Sequence, residues 1–240
     1  MNLSKKIFYV VGLWLMTWGL VEAQINNFND ATGTPIREKK YSDIQGSPYL
    51  NDQWISGSLI FNKDEIQTNV PLRYNAYEDK IEFQQNGGTF VFDNASILGC
   101  DMYVLDPGTQ KLKRYAIRNG FSGLEGYGFG EKDFFIVTYQ NKIAFITKLK
   151  ASLTETTATY GEKATSKIFV QSEKSYLIKE DGKVTQINRS NGAVIKSLGQ
   201  SSLKEFVKKE KLNVKDDGDL AKLLREYEVR FLNETNVKTE

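Results

Sequence analysis

Lys80-Ile-Glu-Phe-Gln84, Asn86-Gly87 and Thr89-Phe-Val-Phe92 read together as two strands and the turn that joins them. Ile81 and Phe83 alternate with Glu82, and a period of two belongs to a strand with one face buried. Asn-Gly is the dipeptide that most readily takes the positive φ angles of a type I′ hairpin turn. The same grammar extends outward. Trp54 to Phe61 forms an upstream strand, and Val70 to Tyr74 places Val70, Leu72 and Tyr74 on one face and Arg73 on the other. Downstream, Asp106-Pro107-Gly108 separates Met102 to Leu105 from Lys111 to Ile117, with proline presetting φ and glycine accepting φ above zero. Asn119-Gly120 marks a further reversal. Asp133 to Tyr139 and Lys142 to Leu149 pair across Gln140-Asn141, and the unbroken run Phe134-Phe135-Ile136-Val137 predicts strands covered on both faces.

A polar stretch, Thr154 to Thr165, reads as a connection or an irregular edge. After it come strands at Lys167 to Val170, Ser175 to Ile178 and Lys183 to Ile187, and Asn191-Gly192 leads to a last one at Ala193 to Ile195. The spacing resembles one propeller blade, but no fixed-length repeat recurs, which argues against a full propeller. The period then changes. Leu203, Phe206 and Val207, and then Leu220, Leu223, Leu224, Tyr227 and Phe231, follow helical spacing and predict two short amphipathic helices. Ser201 or Ser202 is expected to cap the first, and Asp216 and Asp217 the second. The expected fold is mainly β (α+β): antiparallel hairpins or a meander over residues 47–200 forming a sheet, sandwich or open barrel. A C-terminal helical pair at 201–232 packs on it, and 233–240 is a disordered tail.

The first residues read as a secretory leader. Lys5 and Lys6 precede the uncharged run Ile7 to Leu20, and Val21-Glu22-Ala23 offers small residues for cleavage before Gln24. As a helix that run would span about 21 Å at ~1.5 Å per residue, short of the ~30 Å hydrocarbon core. Residues 1–23 are therefore expected to be removed, leaving no membrane-spanning helix. No cysteine follows the run, so a lipoprotein is not expected. Residues 24–46 are polar, without a sustained period, and read as a flexible tether.

Composition narrows the chemistry. The 240 residues contain no His and one Cys, which removes imidazole-based triads and metal sites, disulfide frameworks and Cys-rich zinc sites. The formal net charge of +2 gives no drive toward nucleic acid, so no such partner is expected. Cys100 reads as a buried small hydrophobe. An export signal without a disulfide pair points to the periplasm or cell surface of a Gram-negative bacterium.

Gly46-Ser-Pro-Tyr49-Leu50, Trp54 with Gly57, Val70-Pro-Leu-Arg-Tyr-Asn75-Ala-Tyr77, Asp79-Lys-Ile-Glu-Phe83 and the tail from Leu203 to Tyr227 resemble uncharacterised secreted β-rich proteins of the Bacteroidota. Those proteins carry a "PLRYN-Y-D-IEF" phrase and a short helical tail. The resemblance implies export and a shared fold, and carries over no catalytic residue.

Several positions invite chemistry. Glu78, Asp79 and Glu82 lie close together, and paired carboxylates serve glycoside hydrolysis. Lys80 and Glu82, however, read as the solvated face of a strand. Asp216, Asp217 and Asp219 supply oxygens for a hard cation, but Ala221 stands where a ligand is wanted, and capping accounts for the cluster. Gly120 to Gly130 holds five glycines among Phe121, Leu124, Tyr127 and Phe129. It lacks the lysine and following helix of a phosphate loop, and reads as a loop whose aromatics contact a ligand or partner, or as an ordinary connection. Phe121, Tyr127 and Phe129, with Trp54, are the candidate contact residues. Tyr74, Tyr77, Tyr103, Tyr115 and Tyr139 are expected mostly to pack in the core. Lys204, Lys208, Lys209 and Lys211 form a basic run interrupted by Glu205 and Glu210, read as a solvated helix face. The expectation is an exported, non-enzymatic module of the cell envelope that needs no cofactor or metal and binds an envelope protein or a glycan. A small-ligand or glycan-binding β protein is the alternative, and a carboxylate-dependent hydrolase comes third.

Overall fold

The computed structural model describes residues 33–36, 41–106, 110–156 and 166–232. The leader at 1–23, the tail at 233–240, turn residues 107–109, residues 157–165 of the polar stretch and most of the 24–46 segment lie outside the described residues.

Among the described residues eleven strands form one antiparallel sheet: β1 (Thr34–Ile36), β2 (Ile55–Ile60), β3 (Ile66–Asn75), β4 (Lys80–Gln85), β5 (Gly88–Val91), β6 (Gly99–Leu105), β7 (Leu112–Arg118), β8 (Phe135–Gln140), β9 (Ala144–Thr156), β10 (Ser166–Ile178) and β11 (Val184–Ile187). Their order is β1-β5-β4-β3-β2-β6-β7-β8-β9-β10-β11, so two runs of hairpins meet where β2 pairs with β6. The sheet stays open, with β1 and β11 as its edges. Asn86 and Gly87 have φ of 49° and 77°, the left-handed pair that a type I′ turn demands, and they close the β4–β5 hairpin. The segments read as separate strands at Lys167 and Ser175 are one continuous strand, β10, registered along its full length on β9.

The sheet curls until the β3–β4 turn meets the far strands. Ala151 donates its N–H to the Ala76 carbonyl at 3.1 Å, and Ala76 donates to the Pro48 carbonyl at 2.7 Å. Gln45 bridges β10 through Lys167 and Phe169. The following Gly46 has φ of +74°, and a Cβ there would lie 2.6 Å from the Phe169 carbonyl, so only glycine lets the chain turn off the strand here. Tyr41 anchors this segment, its ring edge-on to Phe169 at 5.3 Å and to Tyr77 at 6.1 Å. The described parts of 24–46 are thus paired and packed, a correction to the tether reading. β1 lies beside β5, and Tyr41 anchors the stretch that follows.

Among the described residues three helices follow the sheet: α1 (Asn191–Leu198), α2 (Leu203–Lys209) and α3 (Asp217–Tyr227), the last continued by a wide turn, Glu228–Leu232. α1 corrects the expectation of a strand at Ala193 to Ile195. Ser190 accepts the Ala193 N–H at its start, Gly199 ends it in the left-handed conformation, and Val194, Ile195 and Leu198 form its buried stripe. Asn191-Gly192 is therefore the first helical turn, and the helical region begins about ten residues earlier than expected. Asp216 caps α3 by accepting the Asp219 N–H at 3.0 Å, whereas Ser202 at the start of α2 makes no side-chain cap bond.

The helices cover one face of β8–β11. Ile143, Phe145 and Leu177 pack there against Leu198, Leu203, Leu220, Leu223 and Leu224. On the opposite face Phe135, Ile146 and Tyr176 lie under Phe121 and Leu124. Of the Phe134 to Val137 run, read as covered on both faces, Phe134 and Phe135 are buried, while Ile136 and Val137 are half-buried beside the groove between β7 and α3. Glu228, 2% exposed, accepts bonds from the Ile143 N–H, the Asn141 amide and the Tyr139 hydroxyl at 2.7–2.9 Å, which fastens the end of α3 to the β8–β9 turn. Burial, and then the bond to Glu228, push the Tyr139 phenol up to about 12.

Candidate functional site

The four candidate contact residues do not converge. Phe121 is buried with its ring edge-on to Phe135 at 5.8 Å, and Phe129 lies against Phe135 at 5.5 Å and Tyr176 at 6.0 Å. Together they roof the sheet. Tyr127, on the 3-10 turn Glu125–Tyr127, stacks edge-on to Tyr176 at 5.0 Å. Its hydroxyl accepts the Gln186 N–H at 3.3 Å and donates to the Val184 carbonyl at 3.4 Å. Both groups point away from β10, because Val184 and Gln186 alternate with the residues of β11 that bond inward. Tyr127 thus occupies the outer rim of the last strand, where an exposed edge would otherwise accept another chain.

Trp54 belongs to a separate cluster. The Arg73 guanidinium lies 4.2 Å from the Trp54 ring centroid and 3.8 Å from that of Tyr49, and donates to Glu82 Oε2 through Nη2 at 2.6 Å and Nε at 3.0 Å. Asn75 donates to Glu82 Oε1 at 3.0 Å. Glu82 is 1% exposed, so its reading as a solvated strand position is overturned. It alternates with Ile81 and Phe83 as a surface residue does, but the curled sheet lays Arg73, Tyr49 and Trp54 over its outer face.

Asp79 sits apart from Glu82 in a second network. Its Oδ2 accepts Lys148 at 2.8 Å and the Phe134 N–H at 3.2 Å, and its Oδ1 accepts the Tyr74 hydroxyl at 2.6 Å. Lys148 also reaches Asp133 and the Phe134 carbonyl. Desolvation raises the Asp79 carboxyl despite the attraction of Lys148. Asp133 is lowered, because the Gly130 N–H and Lys148 outweigh the opposing effect of its partial burial. Glu78 instead accepts the Tyr41 hydroxyl at 2.8 Å. The three neighbouring carboxylates are thus distributed over different partners, and none lines the described grooves beside β11, between β7 and α3, or between α1 and α2.

The aspartates before α3 divide in the same way. Asp216 caps, Asp219 accepts the Asn213 N–H, and Asp217 pairs with Arg189 at 2.6 Å and Lys113 at 3.0 Å. Those two cations lower the Asp217 carboxyl, overcoming the rise that burial alone would cause. Among the described residues no cluster of acids or cysteine is arranged to hold a metal. Cys100 is fully buried, which pushes its thiol up to about 12, out of the range of a reactive thiolate.

The feature that sequence reasoning missed is a finger. β6 pairs with β2 only at Gly99 to Met102, and β7 with β8 only at Ala116 to Arg118. From Tyr103 to Leu105 and Leu112 to Tyr115 the two strands pair only with each other among the described residues. One face of the finger is held back toward α3 by the Lys113–Asp217 ion pair. The other presents Tyr103, Leu105 and Leu112, which are 52%, 51% and 68% exposed, beside Arg114. Leu105 and Leu112 are directly opposite each other. Tyr103, like Tyr77, thus departs from the core packing expected of the strand tyrosines. Met102-Tyr-Val-Leu105 is apolar at every position, a pattern that by itself does not tell an exposed face from a covered one. No helix among the described residues is long and apolar enough to cross a membrane. No protein-family model, curated protein or solved structure matches the chain.

Proposed function

We propose that this chain is an exported, non-enzymatic binding protein of the Gram-negative cell envelope, and that it engages a macromolecular partner through the exposed face of the β6–β7 finger. The observation that carries this reading is the exposure of Tyr103, Leu105 and Leu112 on strands that continue past their last pairing with β2 and β8. Large apolar side chains grouped on one projecting surface mark contact sites, whereas scattered ones do not. Export rests on the leader-like residues 1–23.

A photo-crosslinking side chain at Leu112, introduced in the native host, tests the reading. It is expected to give a discrete adduct that the same side chain at exposed Lys208, on the helical side, does not. Identical outcomes at the two positions would overturn it.

A further inference from the structure

We infer that Lys148 and Asp79 condense into an intramolecular isopeptide bond, a covalent staple between β9 and the β3–β4 turn in a chain whose single cysteine gives it no internal disulfide.

Placement comes first. Asp79 ends the β3–β4 turn in the left-handed conformation, with φ of 55°, and Lys148 stands within β9 with its side chain 7% exposed. The Lys148 Nζ lies 2.8 Å from Asp79 Oδ2 and 3.3 Å from Asp133 Oδ1. The Phe129 and Phe135 rings wall it in, their centroids 5.5 Å and 5.1 Å away. An ion pair needs one carboxylate, and this amine has two whose surroundings drive them apart. Burial raises Asp79; partial burial notwithstanding, Asp133 is lowered by the Gly130 N–H and by Lys148. Such a division marks one group that keeps a proton and one that takes it. An ammonium–carboxylate pair and an amine–acid pair hold the same protons, and scarce water favours the neutral form.

The step then balances. The Lys148 amine attacks Asp79 Cγ, and the C–N bond forms. Asp133, which hydrogen-bonds both partners, takes the proton that the nitrogen sheds and passes it to Oδ2. The Cγ–Oδ2 bond breaks and Oδ2 leaves as water. Oδ1 stays as the amide oxygen and already accepts the Tyr74 hydroxyl at 2.6 Å, a donor aimed where negative charge builds. No oxidant or cofactor enters, because proximity replaces the activation that a free amine and acid need.

Peptide mapping of the denatured, full-length protein tests this. Trypsin cuts after Arg73, Lys80, Lys142 and Lys150 but not after an acylated lysine. The wild type is expected to yield residues 74–80 joined to residues 143–150, lighter by one water than the two peptides together, and to lose the linear peptide 143–148. Asp133→Asn, with the wild-type far-UV circular dichroism, is expected to lower the branched fraction roughly tenfold or more. A wild-type digest that contains linear 143–148 and no branch overturns the inference, whether or not the variant folds. A branch carried by Asp133 overturns the choice of acid, and full linkage in Asp133→Asn overturns the role of Asp133 as base.

Discussion

Removing the Glu82 carboxylate separates two physical pictures of this protein by a wide margin. If the side chain lay on a solvated strand face, its pairing with Arg73 would contribute about 0–1 kcal/mol. In the structure Glu82 is 1% exposed and the Arg73 side chain 12% exposed. Glu82→Ala therefore leaves a desolvated guanidinium between the Tyr49 and Trp54 rings without its counter-ion, and deprives the Asn75 amide of an acceptor. Breaking a buried pair from one side costs about 3–5 kcal/mol. At roughly 2–4 °C per kcal/mol for a chain of this size, the melting temperature should fall by about 6–20 °C. Far-UV circular dichroism with thermal and urea unfolding measures both quantities on the same samples. Arg73→Met/Glu82→Leu should recover most of the loss, because an apolar pair leaves no buried charge unpaired. A loss below about 1 kcal/mol for Glu82→Ala would refute the buried-pair account, and so would a double variant no more stable than the single one.

Ser190→Ala removes the oxygen that accepts the Ala193 N–H, and should lower stability by about 1 kcal/mol in urea titration; no change would mean that packing alone sets the start of α1. Tyr127→Phe keeps the ring on Tyr176 but frees the Gln186 N–H and the Val184 carbonyl, so amide exchange at Gln186 should quicken and the protein should self-associate with rising concentration. Unchanged exchange at Gln186 would show that the hydroxyl does not guard this rim. The Asp217 carboxyl is lowered in the fold, so its contribution is present above the ordinary aspartate value and is lost as pH falls through the lowered one. Asp217→Asn should thus cost stability at neutral pH and flatten the acid limb, and equal acid slopes for the two proteins would contradict the assignment. The buried Cys100 thiol, pushed up to about 12, should react with an aromatic disulfide reagent at pH 8 only after denaturant is added; rapid labelling of the native protein would place it at the surface.

Local signals read well where one residue type leaves little choice. Asn86-Gly87, the alternation of Val70, Leu72 and Tyr74, and the stripe of Leu220, Leu223 and Leu224 each determine an element from within a few residues, and the structure has a hairpin, a strand and a helix there. Legibility failed where distant chain decides. Alternation told that Ile81 and Phe83 share a face but not that Arg73, Tyr49 and Trp54 would cover Glu82 on the other. Asn191-Gly192 carries the same turn chemistry as Asn86-Gly87, and became helix because Ser190 and Gly199 bracket an apolar stripe that Phe145 and Leu177 need covered. The finger was hidden for a related reason. Whether Tyr103 and Leu105 are buried depends on how far β2 stays paired beside them, a matter of pairing length that no window of β6 contains.

The covering of Phe145 and Leu177 by α1–α3 carries a consequence for how the chain comes into being. A polypeptide emerges from its amino end, and the residues that shield those two side chains, Leu198 to Leu224, appear only after every strand of the sheet. Throughout the intervening interval β9 and β10 have a greasy flank and no lid. A nascent chain of this design depends on a chaperone or on speed, and a stop codon just after Gln200 should yield an aggregate, not a smaller soluble protein.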